Sequence, residues 1–136
     1  ETIPRTHGTT EIDPEFGNMI PSVDREFVDP IAELGPHVAP LGISFYDKTK
    51  FPEKYHNSVF IALHGSWNRT KKSGYKVILV KLDDDGNYLY QEDFITGWLS
   101  NETAWGRPAA PFVMSDGSLL VSDDKHNVIY KVQYKG

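Results

Sequence analysis

The feature that most constrains the fold is a set of short strand-like segments that recurs along the chain after Pro40. The first series has four segments, residues 42–46, 58–64, 75–82 and 88–96. The second series has three segments, residues 109–114, 118–122 and 128–134. Residues 58–64 form a compact apolar run, whereas side chains alternate within residues 75–82, with Tyr75, Val77 and Leu79 on one face. No long helix is predicted.

The two series match each other in sequence. Residues 58–61, Ser-Val-Phe-Ile, match residues 118–121, Ser-Leu-Leu-Val, and residues 75–82 match residues 127–134 in pattern. Self-similar short antiparallel strands are typical of β-propellers, whose blades are four-stranded sheets. We therefore predict an all-β fold, a propeller fragment with fewer than two blades. It would be a piece of a longer protein, a cleaved product or a protomer that completes its sheets with partners. A small β-sandwich is the alternative.

The first 36 residues differ from the rest, because proline and glycine interrupt every long periodic element there. We predict an irregular arm over residues 1–36, with one short strand near residues 26–28. Residues 37–136 would form the partial β-propeller, with one four-stranded blade and three strands of a second.

Composition excludes several classes of site and partner. The absence of cysteine excludes disulfides, thiolate metal sites and cysteine nucleophiles. The net charge of −5 and the lack of a basic stripe argue against nucleic acid, and no apolar run is long enough for a membrane span. The acidic residues 83–85 precede Gly86 and fit a hairpin turn better than a calcium loop, so we assign no metal ligand in this chain.

Three unusual loop segments fall at one end of the predicted sheets, residues 35–40, 64–74 and 97–108. Antiparallel strands alternate in direction, so these segments share an end. Simple polar turns, residues 83–87 and 115–117, fall at the other end. Loops on a rigid scaffold commonly carry function, and the first end is therefore the candidate site.

The candidate ligand contacts in these loops are aromatic and basic. Arginine offers a planar fork for carboxylates and tryptophan a stacking surface, a set that suits a flat, anionic, conjugated ligand. His64 could equally be a hydrogen-bonded core histidine, Trp98 is expected in the core, and Lys71 and Lys72 are expected to be solvated. The candidates are His37, His64, Trp67, Asn68, Arg69, Trp105 and Arg107.

Several strings resemble the sorbosone dehydrogenase family, which is related to soluble glucose dehydrogenases that use pyrroloquinoline quinone. The most specific is His-Gly-Ser-Trp-Asn-Arg at residues 64–69. Others are Gly-Pro-His-Val-Ala-Pro-Leu-Gly at residues 35–42, Trp-Gly-Arg-Pro at 105–108 and Asp-Gly-Ser-Leu-Leu-Val-Ser-Asp-Asp at 116–124. The resemblance implies the C-terminal part of a six-bladed propeller, with pyrroloquinoline quinone bound on the loop face beside calcium.

The resemblance also implies oxidation of a sugar or aldose by hydride transfer to the quinone, in a periplasmic or secreted protein. His37, Trp67, Asn68, Arg69 and Arg107 fall where quinone or substrate contacts would lie, and Trp105 is a weaker match. The catalytic base and most calcium ligands of that family belong to earlier blades, so no catalytic residue is assigned here. A non-catalytic sugar-binding module, and a structural fragment that pairs with other chains or with itself, are the alternatives.

Overall fold

The computed structural model describes residues 30–136, which form antiparallel β-sheets joined by loops. The first sheet contains, in chain order, β1 (Pro40–Tyr46), β2 (Ser58–Leu63), β3 (Lys76–Leu82) and β4 (Tyr88–Ile95). The second contains β7 (Pro108–Val113), β8 (Leu119–Asp123) and β9 (Val128–Val132). Between them lies a two-stranded ribbon of β5 (Leu99–Ser100) and β6 (Thr103–Ala104). A short 3₁₀ helix, Glu53–Tyr55, lies between β1 and β2.

The prediction of one four-stranded and one three-stranded sheet is confirmed, with each of the seven segments predicted after Pro40 within two residues of an observed strand. The β5–β6 ribbon was not predicted, because strands of two residues carry no readable alternation. Its turn places Asn101 and Glu102 at positive φ, 48° and 61°. Among the described residues, no helical segment has the length and apolarity that crossing a bilayer requires.

The hydrophobic core takes side chains from both large sheets. Phe60, Val77 and Leu79 come from the first sheet, and Leu119 and Val121 from the second. Alternation predicted Val77 and Leu79 on one face, and that prediction is confirmed. Two loop residues, Phe51 and Trp98, close the cluster against strand residues: Phe51 stacks on Tyr46 with ring centroids 5.0 Å apart, and Trp98 meets Tyr130 edge-on at 5.7 Å. The predicted core position of Trp98 is also confirmed, at 4% exposure.

The two ends of the sheets differ as predicted. The hydroxyl of Tyr46, at the end of β1, donates to the carbonyl of Gly117 in the β7–β8 turn at 3.0 Å. The β3–β4 turn lies at this same end, because β1 and β3 run in one direction. The β2–β3 loop and the residues before β7 lie at the opposite end, where Arg107 contacts the carbonyl of His64 at 3.1 Å. The predicted placement of these loops at one end of the sheets, opposite the polar turns, is therefore confirmed.

Contacts within the chain separate residues 1–33 from a compact unit, Leu34–Gly136, to which all the strands above belong. The predicted arm of residues 1–36, with its strand near residues 26–28, lies mainly outside the described residues. The division at residue 36 therefore stays a prediction.

Candidate functional site

The β2–β3 loop forms one wall of the site and is anchored at its base by main-chain hydrogen bonds. The N–H groups of His64 and Gly65 donate to the carbonyls of Ala39 and Val38, both at 2.9 Å. Gly65 has φ of 100°, and a Cβ there would lie 2.5 Å from the ring of Tyr75. Only glycine therefore lets the chain turn against that ring.

Arg107 fixes the start of this loop from the other side. Its Nε donates to the carbonyl of His64 at 3.1 Å, and its Nη2 donates to those of Gly65 at 2.6 Å and Ser66 at 3.4 Å. Its guanidinium carbon lies 5.4 Å from the ring centroid of Tyr75. The hydroxyl of Tyr75 donates to the Ser66 carbonyl as well. These contacts make Arg107 an organiser of the loop.

His64 pairs with an acidic residue from the β8–β9 turn. Its Nε2 lies 2.9 Å and 3.0 Å from the two carboxylate oxygens of Asp124. The histidine side chain is 17% exposed and that of Asp124 is 60% exposed. A ligand in solution can therefore reach this polar pair.

The β2–β3 loop, Arg107 and the β8–β9 turn border an open cleft of about 690 Å³. A volume of this size is within the range of small-molecule sites, about 300–1,000 Å³. Both acidic and basic residues line it, and the main-chain N–H of Lys72 donates to a carboxylate oxygen of Glu102 at 2.6 Å. The cleft is lined by His64, Ser66, Trp67, Lys72, Tyr75, Glu102, Thr103, Ala104, Arg107, Asp124 and Lys125.

The structure brings three of the predicted site residues together in this cleft, His64, Trp67 and Arg107. Trp67 presents an indole that is 87% exposed. The other predicted residues are not among those that line the cleft, and their role as ligand contacts stays a prediction. His37, at φ of 60°, and Asn68 are exposed. Arg69 is exposed near the carbonyl of Pro36 at 3.5 Å, and the indole of Trp105 donates to the Gly97 carbonyl at 2.7 Å.

Behind the cleft, Asp123 is a buried carboxylate at 2% exposure. Burial raises the pKa of its carboxyl, but hydrogen bonds to the charged form lower the pKa by a larger amount, so the pKa lies below its ordinary value. Three of these bonds come from main-chain N–H groups, those of Arg107, His126 and Lys125. The carboxylate is therefore charged at neutral pH.

Sequence reasoning missed Asp123, Asp124 and Glu102 as site residues. A signal was present for the first two, because consecutive aspartates end an alternating strand at the loop-bearing end of the sheet. Glu102 carried no readable signal, since its position depends on the short β5–β6 ribbon. Among residues 30–136, no three His, Asp or Glu side chains are grouped in a way that could hold a metal ion.

A family model for TrAA12-like proteins matches residues 22–135 of the sequence. The chain belongs to the TrAA12-like family. It is 39% identical over 137 residues to a protein of Borreliella burgdorferi known only as an uncharacterized protein, covering 97% of this chain and 35% of that one. It is 43% identical over 53 residues to a pyrroloquinoline quinone-dependent pyranose dehydrogenase of Coprinopsis cinerea, covering 39% of this chain and 6% of that one.

Solved structures of the TrAA12-like family and its relatives share this fold. The holo form of the pyranose dehydrogenase PQQ domain from Coprinopsis cinerea matches with a TM-score of 0.63 and 27% identity, over 79% of this chain and 29% of that one. A calcium structure of a Trichoderma reesei protein of carbohydrate-active enzyme family AA12 matches in fold, with a TM-score of 0.66 and 24% identity, over 80% of this chain and 27% of that one. The chain thus spans about a third of the length of such relatives.

Proposed function

We propose that this chain supplies part of the cofactor and substrate cleft of a quinone-dependent sugar dehydrogenase. The observation that carries the proposal is the cleft itself, in which His64, Trp67 and Arg107 meet. The similarity of the chain to a pyranose dehydrogenase that depends on pyrroloquinoline quinone also supports the proposal. An aldose related to sorbosone is the proposed substrate, and a periplasmic or secreted location is proposed with it.

The described residues suit a flat anionic quinone. The exposed indole of Trp67 offers a stacking surface, and Lys72, Arg107 and Lys125 bring positive charge to the same cleft. Cationic side chains offset the carboxylates of such a cofactor. Calcium does not fit residues 30–136, because no suitable group of ligands occurs there. If calcium takes part, its ligands come from elsewhere.

Each side chain has a defined task in this proposal. When bound, pyrroloquinoline quinone supplies the acceptor for the hydride that the sugar loses on oxidation. Trp67 stacks on a flat ring and excludes water, while Arg107 holds the loop that carries Trp67 and His64. The His64–Asp124 pair can accept hydrogen bonds from sugar hydroxyls. The base that removes the substrate proton is not assigned to this chain.

We also propose that the two large sheets are propeller blades. On each sheet, the face turned away from the core exposes large apolar side chains: Ile43 at 67% and Phe45 at 51% on the first, Phe112 at 63% and Ile129 at 67% on the second. Strand register places Phe112 and Ile129 on one face, because their partners Leu120 and Ser122 are two residues apart. Such faces require covering, either by further blades or by self-association.

A non-catalytic sugar-binding role is the second candidate. Trp67 lies in one cleft with the carboxylates of Glu102 and Asp124. An aromatic face with nearby hydrogen-bond acceptors can bind a pyranose without any cofactor.

Dye reduction by the full-length protein distinguishes the quinone-dependent dehydrogenase from the non-catalytic sugar-binding protein. We expect an aldose to reduce an artificial electron acceptor only after pyrroloquinoline quinone is added. We expect Trp67→Ala to lower this rate at least tenfold. Tyr88→Ala is the matched control, because Tyr88 is an exposed aromatic residue at the start of β4, at the other end of the sheet. Sugar binding without any quinone-dependent reduction would favour the binding module.

A further inference from the structure

A single buried carboxylate, that of Asp123, connects two segments that border the cleft. Oδ1 of Asp123 accepts hydrogen bonds from the main-chain N–H groups of Arg107 and His126 at 2.9 Å and of Lys125 at 3.1 Å. Its Oδ2 accepts a hydrogen bond from the hydroxyl of Tyr130 at 3.2 Å. One side chain thus joins the residue before β7 to the turn that follows β8.

Both joined segments act directly on the site. Arg107 extends its side chain from the first segment to the carbonyls of His64, Gly65 and Ser66. Asp124 reaches from the second segment to Nε2 of His64. His64 is therefore held at its main chain by one partner of Asp123 and at its ring by the sequence neighbour of Asp123.

The space around the carboxylate fits this arrangement. A Cβ at position 106 would lie 2.2 Å from Oδ2 of Asp123 and 2.4 Å from Cδ1 of Trp98. Glycine at this position is what lets the chain before β7 approach the carboxylate closely enough for the Arg107 N–H to donate. The close approach, and not a positive φ, is therefore the reason for glycine in the Trp-Gly-Arg-Pro string.

We propose that Asp123 is a positioning residue for the cleft: it holds the segment that carries Arg107 and the turn that carries Asp124, and these two residues fix His64. That a ligand uses this arrangement rests on the proposed function, whereas the coupling of the two segments through Asp123 does not. Asp123 itself does not touch the ligand in this proposal.

Nuclear magnetic resonance of the folded chain, in its full-length context, tests the coupling without any cofactor. As pH falls and Asp123 takes up its proton, we expect the main-chain N–H of Arg107 and the side-chain Nε–H of Arg107 to shift with one common midpoint. The chemical shift of the Nε–H reports on the contact between Arg107 and the β2–β3 loop, because this group donates to the His64 carbonyl. A main-chain shift with no change at Nε–H would overturn the proposal.

Asp123→Asn provides the second arm, with Asp116→Asn as the matched control. Asp116 also accepts hydrogen bonds within a turn, from the Ser118 N–H at 2.9 Å, but it lies at the opposite end of the sheet. We expect Asp123→Asn to speed solvent exchange of the Arg107 Nε–H about tenfold and to weaken pyrroloquinoline quinone binding about tenfold, and Asp116→Asn to change neither. Equal exchange in Asp123→Asn and the parent would overturn the proposal. If the parent binds no quinone but the exchange result holds, the proposed function fails and the coupling stands.

Discussion

Nε2 of His64 lies 2.9 Å from Oδ1 of Asp124, although the two residues are 60 positions apart in the chain. The contact joins the loop of the first sheet to a turn of the second. Because Asp124 is 60% exposed at its side chain, the pair contributes little to stability. We expect Asp124→Ala to leave the unfolding temperature nearly unchanged while it weakens ligand binding.

Arg107→Ala should lower the free energy of unfolding by about 2 kcal/mol, on the scale of hydrogen bonds that involve a charged group. Arg107→Lys should recover less than half of this loss, because an ammonium cannot reproduce the guanidinium fork. Arg69→Ala is the control, since Arg69 is exposed and its contact with the Pro36 carbonyl is long, at 3.5 Å. Urea denaturation measures all three variants, and equal losses for Arg107→Ala and Arg69→Ala would refute the role of Arg107 as organiser.

The two turn glycines should differ in their tolerance of a side chain. Gly86 and Gly117 both have positive φ, 85° and 78°, a conformation that glycine adopts readily in the turns at residues 83–87 and 115–117. A Cβ at Gly117 would lie 2.4 Å from Cβ of Lys50, whereas one at Gly86 meets nothing within 4 Å. We expect Gly86→Val to cost about 1 kcal/mol and Gly117→Val about 2 kcal/mol or more, by added strain and overlap. Thermal melts unaffected by either substitution would contradict the assigned turns.

Acid should destabilise the fold partly through Asp123. The folded pKa of this carboxyl is depressed, since N–H hydrogen bonds to the charged form outweigh burial. Its stabilising contribution is therefore complete above the unfolded pKa, about 3.9 for an aspartate, and is lost as pH falls through the folded value. Free energies of unfolding measured from neutral to acid pH should fall less steeply in Asp123→Asn than in the parent. Parallel curves would show that Asp123 is not linked to folding.

The two tryptophans should separate stability from binding. Trp98 is 4% exposed and packs on Tyr130, so Trp98→Ala should cost about 3–5 kcal/mol, as large core truncations do. Trp67 is 87% exposed, so Trp67→Ala should leave the melting temperature within about two degrees of the parent, consistent with a surface change. Differential scanning calorimetry decides this. A large loss of stability in Trp67→Ala would place its indole in the core.

The chain alone should self-associate, because both outward sheet faces expose apolar side chains. Ile43→Lys combined with Ile129→Lys should reduce the apparent mass in light scattering, whereas Lys48→Ala in a surface loop should not. A compact monomer for the unmodified chain would count against the blade proposal and favour a sandwich.

Sequence patterns predicted the strands, the polar turns and the end of the sheets at which the long loops meet, because alternation and turn chemistry are local. They did not predict that Arg107 would be used on main-chain carbonyls, since that depends on how two distant segments pack. The role of Asp123 was missed for the same reason. Its burial and its hydrogen bond from the Arg107 N–H arise only when the loop before β7 folds over β8.

The most direct test of the account is titration of pyrroloquinoline quinone into the full-length protein, followed by absorbance or calorimetry. We predict saturable binding that weakens about tenfold or more in Trp67→Ala and in Arg107→Ala and is unchanged in Tyr88→Ala, with every variant shown to be folded. No saturable binding by the parent, or equal affinity in all of these variants, would contradict a quinone site in the cleft of His64, Trp67 and Arg107.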